Sequence, residues 1–428
     1  MLRRVTADVA ARRDDVEASD ARWRVFGLTW LSYVSYYLVR KNFSVAKASI
    51  QDTIGLGTRQ LGYIDMGYSA AYALGQFVWG WTADRVGPRR VIGWGMLATA
   101  TCSVWFGFSS VFLGFALAFG VNGLAQATGW SPNVKAMTGW FPVRRRGLVM
   151  GFWTTNYSVG GLVANPVAHA FLAAWGWRAA FHGPALIVAL VGLAVLFLLP
   201  ERDGAGGSGS ARPTRAAMDA DRRAARTAVL RTPLVWALGA SYFFMKMARY
   251  FFWYWSPFYM EKTLHYSPAL AANAPLVFDG AGIVGAVTIG WVSDRYLKGR
   301  RVPIAVVSLV LLACCLFLYS NVAARGLAPN LIVLALCGFF LFGPDAIVSA
   351  TAAQDVGGPA AAAIAAGIIN GMGSIGQIFA GPLAPERSAS AEWGVIYGGL
   401  GVGAILAALV LAPFWRSQRA PRADDLPG

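Results

Sequence analysis

Residues 80–90 read GWTADRVGPRR, and residues 290–301 read GWVSDRYLKGRR. Asp84 and Asp294 of these two stretches lie 210 positions apart, so the chain is built from two related halves. Each copy follows an apolar run and ends in a basic cluster, which places it in a tight loop between two helices. Gly80 and Gly290 would allow close helix approach, while Asp84 and Asp294 could cap a helix or pair with neighbouring arginines.

Working outward, apolar runs long enough to span a bilayer fall at 24–48, 60–82, 91–110, 112–137, 147–173 and 179–200. They resume at 232–260, 270–293, 302–321, 328–352, 358–383 and 391–415. That pattern is six, a polar gap and six. The 428 residues are 56% hydrophobic and only 14% charged, a balance foreign to soluble domains. The expectation is an all-α membrane protein of twelve transmembrane helices in two pseudo-symmetric bundles, residues 1–200 and 232–428. Residues 201–231, Gly/Ser-rich and then charged, have no apolar face and read as a linker.

The net charge of +16 would suit a nucleic-acid binder, but its distribution argues for a membrane instead. Of 37 Lys and Arg, 26 lie in the N-terminus, 84–90, 141–147, 201–231, 294–301 and the C-terminus, and five in the alternate loops. This positive-inside asymmetry puts both termini and the linker in the cytoplasm. Residues 1–22 hold no apolar core, so no cleavable leader is expected and the first span acts as the insertion signal. The four cysteines sit in spans without metal-ligand spacing, so no metal, cofactor or redox chemistry is expected. No nucleophile constellation points to an enzyme.

Six cations lie inside spans: Arg40, Lys41, Lys47, Lys135, Lys246 and Arg249. A cation there costs roughly 2.5–3.5 kcal/mol on insertion scales. Tyr33, Tyr37, Arg40, Ser44 and Lys47 follow steps of 4, 3, 4 and 3, which puts them on one helical face. Tyr242, Lys246, Arg249, Trp253 and Ser256 repeat those steps 209 residues on. Arg40 and Arg249 are therefore equivalent positions, and two such halves would present them across a central cavity, where an anion is needed between them. Snorkelling fails for Arg40, because about 16 residues at 1.5 Å, roughly 24 Å, separate it from Arg24. A structural ion pair remains the alternative. Asp279 and Asp345 are the main buried acids and cannot neutralise Arg40, Lys41, Lys246 and Arg249 together. Lys41, rotated about 100° from Arg40, reads either as a partner of Asp279 or another acid or as a direct substrate contact. Lys47 and Lys135, near span ends, read as snorkelling.

The G-x-x-x-D-R element after the second and eighth spans resembles the signature of the major facilitator superfamily. Within it, YYLVRKNFSVA (36–46) and RYFFWYWSPFY (249–259) resemble the organophosphate:phosphate antiporters, which include bacterial glycerol-3-phosphate and hexose-phosphate exchangers. FDGAGIVGA (278–286), NGLAQATGW (122–130), GFWTTNYSVG (151–160) and NGMGSIG (370–376), together with Lys246, are similar to the sugar-phosphate exchangers of solute carrier family 37. The resemblance implies that Arg40 and Arg249 hold a phosphate group, with Tyr33 and Tyr37 donating to remaining oxygens. Lys246, one turn before Arg249, and Lys41, Tyr157 and Asn370 are read as further substrate contacts. The chain departs from the bacterial pattern at Gln76, where a lysine is frequent, and at Asn156 and Tyr157, where a histidine is expected. Asn370, Ser374 and Gln377 could meet substrate hydroxyls or bind helices together.

The implied function is exchange of an organophosphate, glycerol 3-phosphate or a sugar phosphate, for inorganic phosphate by a monomeric carrier in a bacterial inner membrane. Its partners would be small molecules and lipid, with no nucleic acid. There are two alternatives: a sugar-phosphate sensor of a two-component system, which would share the binding site, and a proton-coupled organic anion carrier, which needs a titratable group in the membrane that Asp279, Asp345 or the pair His169 and His182 could supply.

Overall fold

The computed structural model of the protein describes residues 2–137, 140, 149, 152–153, 155–201, 227, 230–297, 300–386 and 390–416. Most of the expected linker, the basic segment 141–147, the surroundings of Gly80 and the side chains of Asp84 and Asp294 lie outside the described parts. Every regular element among the described residues is helical.

The first half runs α1 (Leu2–Leu38), α2 (Asn42–Ile54), α3 (Thr58–Val86), α4 (Pro88–Phe108), α5 (Phe112–Gln126), α6 (Ser131–Met137), α7 (Thr155–Trp175) and α8 (Ala179–Leu198). The second runs α9 (Pro233–Lys262), α10 (Pro268–Asn273), α11 (Leu276–Tyr296), α12 (Arg301–Ala323), α13 (Leu327–Ala346), α14 (Ala352–Ala380) and α15 (Ser390–Leu411). Here α1 and α2, α5 and α6, and α10 and α11 are pairs within single spans. These elements make up the twelve spans. Among the described residues, seven helical segments are long and apolar enough to cross a membrane on composition alone: α4, α5–α6, α8, α10–α11, α12, α13 with its extension to Ser349, and α15. Those that fall short are α1–α2, α3, α7, α9 and α14; of the buried charged side chains, Lys47 lies on α2, Asp65 on α3 and Arg249 on α9.

The chain divides into two compact units: Met1–Phe43 with Ala71–Ser208, and Ser44–Ala70 with Gly209–Gly428. Residues 44–70 thus cluster with the second unit. In the first unit Phe106 lies within 4.3–5.5 Å of the rings of Phe43, Phe115, Phe119 and Phe181, joining α2, α4, α5 and α8. In the second, Tyr319 and Tyr397 are 4.5 Å apart and Phe252 and Tyr259 close over them, joining α9, α12 and α15. Where α11 crosses α13, a Cβ on Gly285 would collide with the Phe339 carbonyl and one on Gly338 with that of Phe278, so backbones meet directly.

The repeated loop is tight for a different reason than expected. Gly87, at φ 94°, is the single residue between α3 and α4, and Pro88 opens α4, the left-handed stop and fixed-φ start that those residues favour. Arg89 pairs with Glu201 at 3.5 Å across this turn. A Cβ on Gly290, by contrast, would meet nothing within 4 Å, so the close approach expected there does not occur. In the second copy Ser293 Oγ donates to the Arg300 carbonyl at 3.2 Å and accepts from Arg301 at 3.3 Å.

Candidate functional site

In the first unit the site is built on a helix break. α1 stops at Leu38, and the amides of Arg40 and Lys41 both donate to the Tyr37 carbonyl at 3.1 Å. This frees the Val39 carbonyl from the helical ladder, and α5 satisfies it: Asn122 Nδ2 donates at 3.3 Å and Gln126 Nε2 at 3.1 Å. The same Gln126 accepts from Arg40 Nε through Oε1 at 2.8 Å. Aromatic rings flank the guanidinium, with Tyr37 at 4.8 Å and Tyr72 at 4.9 Å from Cζ. Arg40 is 8% exposed. The hydrogen bond to Gln126 fixes the orientation of the guanidinium.

Around this centre Tyr33 packs edge-on against Tyr37 and Trp130, and Tyr37 lies against Gly160 of α7, where a Cβ would be 2.9 Å from the ring. Buried Lys41 donates to the Gly161 carbonyl at 3.4 Å, and Tyr157 is half-buried on α7. Asn156 is fully buried, and among the described residues neither of its amide atoms has a hydrogen-bond partner.

In the second unit Arg249 is paired with an acid. Arg249 Nη1 donates to Asp345 Oδ2 at 3.0 Å, and its Cζ sits between the rings of Trp253, 4.6 Å, and Phe342, 4.3 Å. Trp253 in turn donates to Asp279 Oδ1 at 2.8 Å. Lys246 Nζ reaches Ser374 Oγ at 3.4 Å and lies 5.2 Å from the Tyr242 ring. Ser374 donates to the Asn370 carbonyl at 2.9 Å, and Asn370 itself is exposed. Gln377 takes the interhelical role of the two offered for it, donating to Ser69 and Tyr254 at 3.4 and 3.2 Å.

The stripe on α9 therefore holds as read, with Tyr242, Lys246, Arg249 and Trp253 on one face. That on the first span does not, because the break at residues 39–41 interrupts the helical phase. Lys47 is not snorkelling: it is fully buried, ion-paired with Asp65, donates to the Tyr254 carbonyl at 2.8 Å and lies 3.7 Å from the Trp255 ring. Lys135 donates to the Ala83 carbonyl near the end of α3 at 2.6 Å, a C-terminal capping role. Asp65 is thus a buried acid that the sequence count omitted. Gln126 and Tyr72 were also missed as neighbours of Arg40. Tyr72 stands one turn before Gln76, and that spacing could have marked it.

A twelve-span helical fold, an internal repeat and a buried arginine in each half define a membrane transporter, not an enzyme. The chain belongs to the major facilitator superfamily, whose family model matches residues 29–381. It is 28% identical to the glycerol-3-phosphate transporter of Bacillus subtilis, over 83% of each chain. It is likewise 28% identical to the glucose-6-phosphate exchanger SLC37A2 of Bos taurus, over 90% of this chain and 92% of that one. The phosphoglycerate transporter protein of Salmonella typhimurium is 29% identical over 78% and 77%. The family read from the first- and seventh-span motifs is borne out in these relatives. Among solved structures, a bacterial homologue of the human lysosomal transporter Spinster superposes with TM-score 0.70 at 16% identity, covering 92% of this chain and 95% of that one. The nucleoside transporter NupG does so with TM-score 0.69 at 12% identity, covering 92% and 99%. At such identities these two speak to the fold alone.

Proposed function

We propose that the protein exchanges an organophosphate, glycerol 3-phosphate or a sugar phosphate, for inorganic phosphate by alternating access. It does so as a monomer in a bacterial inner membrane, with both termini in the cytoplasm. The observation that carries this reading is the pair of buried arginines at equivalent positions, each set among aromatic rings. Guanidinium forks match phosphate oxygens bidentately, and dry aromatic walls raise the worth of each charge-assisted bond. The phosphate-ester cargoes in the relatives' names support the same substrate class. Arg40 and Arg249 are the phosphate ligands, Lys246 and Lys41 add positive charge, and Tyr33, Tyr37, Tyr157 and Asn370 contact the rest of the substrate.

The test is efflux of labelled phosphate from preloaded proteoliposomes, with and without external glycerol 3-phosphate or glucose 6-phosphate. Exchange predicts that efflux accelerates when either ester is added at fixed pH and clamped potential. Efflux indifferent to both esters would remove the exchange reading, and efflux driven only by an imposed proton gradient would replace it with proton coupling.

A further inference from the structure

Asp345 is 8% exposed and spends one oxygen, Oδ2, on Arg249. Its other oxygen, Oδ1, is buried and accepts no hydrogen bond among the described residues. The residue sits where the backbone departs from regularity, between Pro344 inside α13 and a π-helical turn at Ile347–Thr351. Such turns often mark functional positions in a helix. Among the described residues, Arg249, Lys246 and Tyr242 of α9 are in electrostatic contact with Asp345.

A buried carboxylate oxygen without a donor is costly, and it persists where a ligand supplies the missing proton. This inference rests on the reading of Arg249 as a phosphate ligand. An oxyanion docked on Arg249 comes to lie beside Asp345, since one guanidinium serves both. Two fully ionised oxyanions side by side repel. If the ligand keeps one P–OH group, the repulsion becomes a charge-assisted O–H···O bond, the short and strong class of about 2.6 Å.

We infer that Asp345 is a specificity-determining residue that accepts a hydrogen bond from a protonated phosphate oxygen through Oδ1. The site thereby admits tetrahedral anions that carry a proton and rejects those that do not. At neutral pH inorganic phosphate and arsenate carry at least one proton, and sulfate of the same shape carries none. A phosphate ester binds in its singly protonated form. No proton is transferred; the residue reads one that the ligand already has.

The experiment is equilibrium binding of labelled inorganic phosphate to purified protein at neutral pH, with unlabelled phosphate, arsenate and sulfate as competitors. Arsenate should displace the label about as well as phosphate does, and sulfate at least about tenfold less well, the worth of one hydrogen bond to a charged group. In Asp345→Asn, whose amide can donate to sulfate, the gap should narrow to about threefold or less. Sulfate competing as well as arsenate against the unmodified protein would overturn the inference, as would a gap unchanged in Asp345→Asn. Should that variant not fold, the arsenate and sulfate arms on the unmodified protein decide alone. Failure of labelled phosphate to bind at all would overturn the proposed function with it, a result distinct from binding without discrimination.

Discussion

Lys47 and Asp65 form an ion pair in which the two side chains are 0% and 2% exposed. The pair is bound into its unit by the Tyr254 carbonyl, which accepts from Lys47, and by the Trp255 ring beneath the ammonium. Taking one partner from a buried pair costs about 3–5 kcal/mol, because the charge left behind has no compensation. Asp65→Asn should therefore lower the unfolding temperature of the detergent-solubilised protein sharply. The double change Lys47→Met with Asp65→Leu should cost much less. A single variant as stable as the unmodified protein would refute this account of the pair.

The two arginines are not interchangeable with lysine. An ammonium is a point donor that cannot both meet Gln126 through an Nε and offer a fork to an anion. Arg40→Lys and Arg249→Lys should each reduce phosphate affinity by more than about tenfold, read by displacement of labelled phosphate. Retention within about threefold, under 1 kcal/mol, would remove that arginine from the proposed ligands.

The part played by Gln126 can itself be tested. Gln126→Glu would set a carboxylate against Arg40 as Asp345 stands against Arg249. Asn122 would still hold the Val39 carbonyl, so the variant should fold while binding phosphate about tenfold more weakly, through competition for the guanidinium. Unchanged affinity with an intact fold would argue that Gln126 serves the helix break alone.

Lys246 should act on the ligand and not only on its neighbour. Lys246→Gln is expected to weaken phosphate binding several-fold, roughly 1 kcal/mol. Ser374→Ala, which removes only the hydroxyl that Lys246 meets, should leave binding near that of the unmodified protein. Equal losses in the two variants would make the lysine a packing element.

How much of this was legible in the sequence depended on the kind of contact. The repeat exposed the two halves, and the 209-residue offset exposed Arg40 and Arg249 as equivalents, because periodicity and symmetry are carried by the chain itself. The neighbours of each arginine were not legible, because they come from helices far along the sequence: Gln126 to Arg40, Asp345 to Arg249. The helix break at residues 39–41 was invisible too, since no Pro or Gly announces it and the amides that satisfy it lie in α5. The motifs that carried the family resemblance prove to be crossing points. Gly282 and Gly285 meet Phe342 and Phe339, Gly373 and Gly376 meet Tyr242 and Phe243, and Gly129 lies on Tyr36.

Those crossings give a stability prediction separate from binding. Gly285→Ala or Gly338→Ala would force α11 away from α13, because the obstacle is a carbonyl and cannot rotate aside. Each should lower the unfolding temperature through a loss of about 1–3 kcal/mol, whereas Gly290→Ala, with open space around it, should be tolerated. Equal stability of all three would contradict the direct backbone packing.

The cations of the first span bear finally on biogenesis. As that segment emerges from the ribosome, Arg40, Lys41 and Lys47 each weigh against partitioning into lipid, by roughly 2.5–3.5 kcal/mol near the bilayer centre. Asp65 follows Lys47 by 18 residues, while Gln126 and Gly161 follow much later. The first span is thus a poor passenger by itself, and its entry should be cooperative with α3, the two leaving the insertion machinery as a hairpin. Glycosylation-tag mapping of nascent chains can decide it, since chains cut after Ile54 should integrate poorly and chains cut after Val86 well. Efficient integration of the shorter chain would mean that the lipid phase tolerates the three charges before any protein partner reaches them.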